Sequence, residues 1–246
     1  TVAVASPERT RQADGAMAYD WGVERFLSGV THTGELVNID NPRWWQQEKE
    51  QAIRLQQAVS RKPNRRSNRR KKAVRRMARA RAKTARKRLD WAHQQTAALA
   101  GKYALVATEE LTLKNMTRSG AGTVEEPGKQ VAQKAGLNRE ILDTAPGLFT
   151  SLFRYKVLET GGEWVDAPTR KLKPSQRCPQ CWYVAKKQLS QRMHCCEQCG
   201  HQENRDTASA RVVLRWALES ISGQELAETG GYDSRETPSF ATHRVE

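Results

Sequence analysis

The segment CPQCWYVAKKQLSQRMHCCEQCGHQENRD, residues 178–206, holds two Cys-x-x-Cys pairs and ends in Arg-Asp. The two pairs are separated by 14 residues. Four thiolates at this spacing suit a tetrahedral Zn²⁺ ion, and four protein ligands leave no open coordination position. We therefore predict a structural zinc site formed by Cys178, Cys181, Cys196 and Cys199.

The exact ligand on the second pair is less well defined than the pair itself. Cys195 is a fifth thiol, directly before Cys196, and His194 and His201 are alternative ligands. We prefer Cys196 because Gly200 follows its Cys-x-x-Cys motif, and glycine relaxes the turn that such a motif makes.

Charge is concentrated in one part of the chain. The 246 residues include 42 Lys and Arg against 27 Asp and Glu, a formal net charge of +15. Residues 61–88 hold 16 of the basic residues and no acid, which leaves 26 basic and 27 acidic residues elsewhere. A polyanionic partner is favoured. With no apolar run of transmembrane length and no secretion signal, we expect nucleic acid rather than a membrane, and a cytoplasmic location.

The basic segment is predicted to be part of a helical hairpin. Helix-forming residues on both sides are interrupted at Pro63-Asn64, and the second helix continues to about Ala100. Apolar and other residues at roughly helical spacing predict its packed face: Val74, Met77, Arg81, Leu89 and Ala92. A solubilising surface or a disordered basic tail is the alternative, but we favour a surface that contacts phosphates.

Short apolar segments predict the remaining elements. Within residues 16–40, short apolar stretches alternate with Gly-containing turns, which indicates three antiparallel strands. The segment EWVDAP is predicted to be a last short strand. Residues 137–162 indicate helix, with Pro146 near a helix start. A helix after the cysteines has an apolar side formed by Ala210, Val213, Leu214, Ala217 and Ile221.

Four carboxylates lie at the ends of these elements. Asp20 ends the first strand, Glu109 and Glu110 follow the apolar strand KYALVAT, and Asp206 starts the last helix. Each has an ordinary explanation alone, as a turn residue, a solvated strand end or a helix N-cap. Acids from such separate elements also converge to hold two Mg²⁺ ions. The residues alone leave Glu109 and Glu110 as alternatives.

The ordered motifs YDWGV, EELTLKNM, SQRCPQC, CCEQCG and RDTASA resemble those of the TnpB family of transposon-encoded RNA-guided nucleases and the related small type V CRISPR effectors. The resemblance runs from about Met17 to Ile221. It implies an α/β fold: an RNase H-like (RuvC) mixed sheet with a helical hairpin insert and a small zinc-ribbon insert.

The resemblance also implies roles for the acids. Asp20 matches the first acid in a D-x-G strand, Glu109 rather than Glu110 matches the second, and Asp206 matches the third, which follows an Arg. The implied enzyme is a RuvC-type, Mg²⁺-dependent endodeoxyribonuclease, a hydrolase. Asp20 would bridge two Mg²⁺ ions, and the other two acids would each complete the coordination of one. Guide RNA and target DNA are the implied partners.

The expected domain organisation follows the motifs. Residues 1–173 are the first part of a RuvC domain that contains the hairpin 43–100, and residues 174–203 are the zinc-binding insert for the target nucleic acid. Residues 204–222 are the final RuvC motif and helix, and residues 223–246 are expected to be a flexible tail.

Four departures from the family pattern stand out, and two of them are Ser209, which replaces the usual Asn of the last motif, and the extra thiol Cys195. Trp182 follows the first Cys-x-x-Cys pair where the family commonly has Gly, and only 19 residues precede Asp20 where the family has a further recognition region. The chain is thus expected to be a short member, a fragment or part of a longer protein, and a second chain is a further expected partner.

The leading functional hypothesis is an RNA-guided DNA endonuclease or its nuclease half. One alternative is a guide-RNA-dependent DNA-binding repressor with little or no cleavage. The other is a zinc-ribbon regulator of transposition that binds nucleic acid through residues 61–88. The three acids favour the nuclease, since a nuclease-dead relative is expected to lack at least one.

Overall fold

A five-stranded mixed sheet is the centre of the fold. The computed structural model describes residues 13–123, 125–188 and 191–221, and the predicted tail at 223–246 lies outside them. The strands are β1 (Gly15–Trp21), β2 (Arg25–Thr31), β3 (Leu36–Asp40), β4 (Tyr103–Glu109) and β5 (Glu163–Ala167). Their order is β3-β2-β1-β4-β5. The first three strands are antiparallel, while β4 is parallel to both β1 and β5. The predicted mixed α/β class and its three leading antiparallel strands are confirmed.

Helices connect and cover the strands. They are α1 (Trp44–Ser60), α2 (Asn68–Ala100), α3 (Leu113–Met116), α4 (Val131–Thr144), α5 (Pro146–Glu159), α6 (Thr169–Leu172) and α7 (Arg205–Ile221). A separate antiparallel pair, β6 (Met193–Cys195) and β7 (Gln202–Asn204), precedes α7. The predicted hairpin of α1 and α2 is confirmed, as is Pro146 at the first position of α5. Within the described residues, none of these helices is long and apolar enough to span a membrane.

Alternation along the central strands places a core on each face of the sheet. On one face, Ala16 and Ala18 of β1 and Ala107 of β4 pack in one apolar cluster with α7. On the other face, Met17 and Tyr19 pack in a second cluster with residues of α2 and α5. Because side chains alternate, every second residue of β1 and β4 points toward α7, and this parity decides where the strand-end acids lie.

The packed face of α2 is shifted from the one predicted. Ala73, Met77, Ala80, Thr84 and Arg88 form the half-buried stripe along its first part. Val74 and Leu89 are 39% and 40% exposed, and Arg81 is also exposed, so that part of the prediction was wrong.

Polar contacts account for the shift. Glu48 of α1 accepts hydrogen bonds from Thr84 and Lys87, and Asp143 of α4 pairs with Arg88 at 2.6 Å. These polar contacts hold the half-buried stripe against α1 and α4. The apolar periodicity of the sequence contains no information about them.

The buried side of α7 is shorter than predicted. Ala210, Val213, Leu214 and Ala217 are buried as expected. Ile221 is 48% exposed, so the buried stripe ends one turn earlier, at Ala217.

Candidate active site and metal centre

The parallel pairing of β1 and β4 brings two of the predicted acids side by side. Tyr19 pairs with Thr108, so that Asp20 and Glu109 occupy the next positions of the two strands. Neighbouring strands lie about 4.8 Å apart. Both residues share the parity of the alanines that face α7. The two carboxylates therefore meet at the end of the sheet, on the side that α7 covers.

The start of α7 adds the third acid. Asn204 precedes the helix, and its Oδ1 accepts hydrogen bonds from the backbone N–H groups of Asp206 (3.0 Å) and Thr207 (3.4 Å). Asn204 thus satisfies the free N–H groups at the helix start, which is the work of an N-cap. Capping therefore does not explain the carboxylate of Asp206, which is half-buried in the first turn.

A buried serine connects the last helix to the second acid. Ser209 is 1% exposed, and its hydroxyl donates to Oε1 of Glu109 at 2.8 Å. Glu110 is exposed instead, and its backbone N–H donates to the carbonyl of Ala167. The structure therefore brings Asp20, Glu109 and Asp206 together and leaves Glu110 outside. Reasoning from the acids alone did not identify Ser209 as a partner of Glu109. The sequence signal that bears on it is its position, three residues after Asp206 on the same helix.

Burial and the two neighbouring carboxylates both oppose the negative charge of Asp20. Burial raises the pKa of Asp20 well above its ordinary value, Glu109 and Asp206 raise it further, and Arg205 opposes the rise. Burial also raises the pKa of Glu109, against the lowering effect of hydrogen bonds from Ser209 and Thr169. Gathered carboxylate oxygens that destabilise each other's charge are the ligand set that a hard divalent cation stabilises.

The raised pKa of Asp20 predicts how the stability of the protein depends on pH. The folded state holds a proton on Asp20 at pH values where the unfolded chain, with a pKa near 3.8, has lost it. In protein dialysed into Mg²⁺-free buffer, without a chelator that would strip the cysteine site, stability should therefore fall as pH rises from that ordinary value through the raised pKa. Asp20→Asn removes the penalty, and we expect its Tm at pH 8 to exceed that of the parent by about 2–4 °C.

Thermal unfolding in Mg²⁺-free buffer between pH 4 and 8 measures this difference. Asp40→Asn, at an exposed strand end, is the control and should keep the pH dependence of the parent. An Asp20→Asn curve parallel to that of the parent would show that Asp20 carries no such penalty.

The four predicted zinc ligands form one compact cluster. The Sγ atoms of Cys178, Cys181, Cys196 and Cys199 all lie within 4.8 Å of one another. The Cys178–Cys199 and Cys181–Cys196 separations are 3.7 and 3.5 Å. A tetrahedral ion with Zn–S bonds of 2.3 Å requires sulfurs about 3.8 Å apart. The donor set and its spacing fit a zinc ion.

The two Cys-x-x-Cys turns are built alike. The backbone carbonyl of Cys178 accepts a hydrogen bond from the N–H of Trp182, and that of Cys196 accepts one from the N–H of Gly200, both at 3.0 Å. The residue after each pair has a left-handed backbone, with φ of 67° at Trp182 and 74° at Gly200. The preference for Gly200 after the second pair agrees with this geometry.

The other candidate ligands lie outside the cluster. Cys195 is exposed. His194 is buried with Nδ1 against the ammonium of Lys187, and His201 lies 3.5 Å from a carboxylate oxygen of Glu203. Although burial opposes it, hydrogen bonds from the backbone of Cys199 and from Cys181 lower the pKa of Cys196 to about 7. Of the two adjacent thiols, Cys196 is the one whose sulfur lies in the four-cysteine cluster.

An aromatic contact joins the cysteine cluster to α7. The ring of Trp182 lies between two guanidinium groups, 5.2 Å from Arg177 and 4.4 Å from Arg215 of α7. Arg215 also donates to the carbonyls of Pro179 (3.4 Å) and Gln180 (3.3 Å). The helix that carries Asp206 therefore holds the first cysteine turn directly. The sequence showed Trp182 only as a departure from a pattern.

Fold and site together define a mixed α/β protein with an acidic cluster at the end of its sheet and a four-cysteine insert before its last helix. Two family models match the chain: OrfB_IS605, described as "Probable transposase", over residues 1–120, and the Cas12f1-like TNB domain over residues 147–213. The chain belongs to the group formed by the TnpB family and the related small type V effectors.

Individual relatives agree with this assignment. The chain is 35% identical to "Putative RNA-guided DNA endonuclease InsQ" of Escherichia coli (strain K12) over 187 residues, 76% of this chain and 46% of that protein. It is 28% identical to "Putative RNA-guided DNA endonuclease" of Streptomyces pristinaespiralis over 235 residues, 92% of this chain and 53% of that protein. The chain thus spans about half the length of these relatives.

Solved structures share the fold at low sequence identity. A cryo-EM structure of a CRISPR-Cas12f ternary complex matches with a TM-score of 0.58 at 16% identity, over 87% of this chain and 41% of that one. A Cas12f1-sgRNA-target DNA complex matches with a TM-score of 0.53, also at 16% identity, over 86% of this chain and 51% of that one.

Proposed function

We propose that this chain is the nuclease portion of an RNA-guided DNA endonuclease and that it hydrolyses phosphodiester bonds in a RuvC site. The observation that carries the proposal is the convergence of Asp20, Glu109 and Asp206 at the end of the sheet. The strand order, with β1 and β4 parallel at its centre and α7 across one face, supports an RNase H-like fold. The relatives from Escherichia coli and Streptomyces are named for the same activity.

The acids divide the chemistry by position. Asp20 interacts electrostatically with both other carboxylates, so Asp20, Glu109 and Asp206 would together hold two Mg²⁺ ions. When bound, these ions would lower the pKa of the attacking water and stabilise the leaving 3′ oxygen. Arg205, next to the acids, partly balances their charge. Ser209 holds one oxygen of Glu109.

The proposed parts of the chain follow from this site. Residues 1–173 and 204–222 form the RuvC unit, interrupted by the hairpin at 43–100 and by a zinc ribbon at 174–203. Because α7 begins directly after β7, the zinc ribbon leads straight into Asp206. We assign it the role of guiding the target strand toward the carboxylates.

The hairpin is the proposed surface for nucleic acid, with a guide RNA and target DNA as partners. Of the 16 basic residues in 61–88, only Lys87 and Arg88 form ion pairs within the described part of the chain. A row of exposed cations follows one side of α2 at spacings of three and four residues: Arg69, Lys72, Arg76, Arg79, Lys83 and Arg86. Such a row is suited to follow a phosphate backbone.

Salt dependence tests the hairpin. Neutralising Lys72, Arg76 and Arg79 to Gln should weaken binding to RNA and DNA of any sequence and reduce the slope of log K against log salt by about 0.7–0.9 per lost phosphate contact. Fluorescence anisotropy measured between about 50 and 300 mM NaCl gives this slope.

The matched control neutralises basic residues elsewhere. Lys102→Gln with Lys129→Gln and Arg170→Gln removes the same number of exposed charges outside the hairpin and should keep the parent slope. An unchanged slope in the hairpin variant would exclude α2 as the contact surface.

The function itself is tested on RNA that copurifies with the 246-residue chain. That RNA is sequenced, and matched DNA is incubated with the parent or with Asp206→Ala in Mg²⁺. We expect cleavage by the parent alone. Tight, target-specific retention of DNA without product in Mg²⁺ or Mn²⁺ would instead support a DNA-binding repressor. Equal cleavage by Asp206→Ala would refute the assigned site.

A further inference from the structure

Glu109 differs from the other two acids in the length of its side chain. A glutamate has one more rotatable bond than an aspartate, so its carboxylate is harder to hold in place. A metal ligand functions only if its oxygen is held to within about 0.5 Å of the productive position. Something besides the backbone of β4 must therefore orient Glu109.

Ser209 meets that need geometrically. Its hydroxyl donates to Oε1 of Glu109 at 2.8 Å, and the residue is 1% exposed, so bulk water does not replace the bond. Each carboxylate oxygen has two lone pairs, so the bond from Ser209 does not use the whole binding capacity of Glu109. On the other side, the Thr169 hydroxyl lies within reach of both the Glu109 carboxylate and the backbone carbonyl of Glu110, which is 3.3 Å away, and its single hydrogen serves one of these acceptors at a time.

The helix position of Ser209 adds a second consequence. Asp206 and Ser209 are three residues apart on α7, so they lie on the same side of the helix. The first turn of α7 therefore supplies Asp206 itself and also orients Glu109 of β4. Any shift of α7 would move Asp206 and release Glu109 together.

We propose that Ser209 is a positioning residue that orients the Glu109 carboxylate for divalent-cation binding. The inference rests on the proposed function, because it takes Glu109 as a metal ligand. Partners of metal-binding side chains typically contribute about 10–100-fold to metal affinity or activity. We expect a loss of that size when the hydroxyl is removed.

The test compares Mn²⁺ binding by calorimetry in the full 246-residue chain. Ser209→Ala should raise the Kd for Mn²⁺ by about 10–100-fold, and Ser209→Thr, which keeps a hydroxyl, should recover part of that loss. Ser220→Ala removes an exposed hydroxyl at the far end of α7, which bonds only its own helix, and should bind as the parent does. The Tm without added Mn²⁺ is recorded for every variant.

A double-mutant cycle separates this role from a structural one. In the Glu109→Gln background, Ser209→Ala should change the Mn²⁺ affinity little, because the group that it orients no longer binds the metal. A parent-like affinity of Ser209→Ala, or an equal loss in both backgrounds, would overturn the inference while leaving the proposed function intact. If Glu109→Gln alone leaves Mn²⁺ binding unchanged, the proposed site itself is wrong.

Discussion

Glu109→Gln is expected to reduce Mg²⁺-dependent cleavage of guide-matched DNA by on the order of 10³-fold, because a metal contributes several kcal/mol to the transition state and this change removes one of its charged ligands. Glutamine keeps the size of the side chain and can still accept the hydrogen bond from Ser209. The loss would therefore come from the charge and not from a cavity. Single-turnover cleavage rates at saturating Mg²⁺ measure it.

The matched control is the next residue. Glu110→Gln changes the same chemical group one position further along the chain, at an exposed site outside the cluster. We expect it to cleave within about threefold of the parent, since surface changes of this kind cost about 0.5 kcal/mol or less. A large loss in Glu110→Gln with a small one in Glu109→Gln would reverse the assignment of the second acid.

This pair of residues also shows what sequence reasoning could establish. From the residues alone, both glutamates followed a buried strand, and only the family resemblance chose between them. In the structure, the choice follows from the parity of β4, because Ala107 and Glu109 face α7 whereas Glu110 lies past the end of the strand. Strand pairing sets this parity relative to β1, and a local pattern does not contain the pairing.

Other features depended on contacts between distant segments. Ser209 and Glu109 are 100 residues apart, and Arg88 and Asp143 are 55 apart. Strands, helices and the cysteine cluster were predictable because their signals are local periodicities and spacings. The packed face of α2 was not, since it is set by polar partners on other helices. The predicted face of α2 was therefore displaced by one residue from the observed one.

The cysteine cluster and the acidic site are physically continuous. β7 ends at Asn204, whose side chain starts α7, and the backbone N–H of Arg205 donates to the carbonyl of Arg192 next to β6 at 2.8 Å. Arg215, further along α7, holds the first cysteine turn. Arg211 of α7 also pairs with Glu203 of β7 at 2.7 Å, so several contacts attach the insert to α7. Losing its fold should disturb the position of Asp206.

Cys196→Ser is accordingly expected to damage both zinc binding and cleavage. Structural zinc sites bind with about 10–16 kcal/mol, so one of four ligands accounts for about 3–4 kcal/mol, or a 10²–10³-fold loss of affinity. Zinc content by mass spectrometry should fall well below that of the parent, and cleavage should fall with it because the start of α7 loses its support.

Cys195→Ser is the adjacent control for this prediction. Its thiol is exposed and outside the four-sulfur cluster, so the variant should keep the zinc content, Tm and cleavage rate of the parent. If Cys195→Ser loses zinc and Cys196→Ser retains it, the second cysteine turn is assigned wrongly. If Cys196→Ser loses zinc but cleaves as the parent does, the cysteine insert does not support Asp206, because its attachments to α7 would then be dispensable for the acidic site.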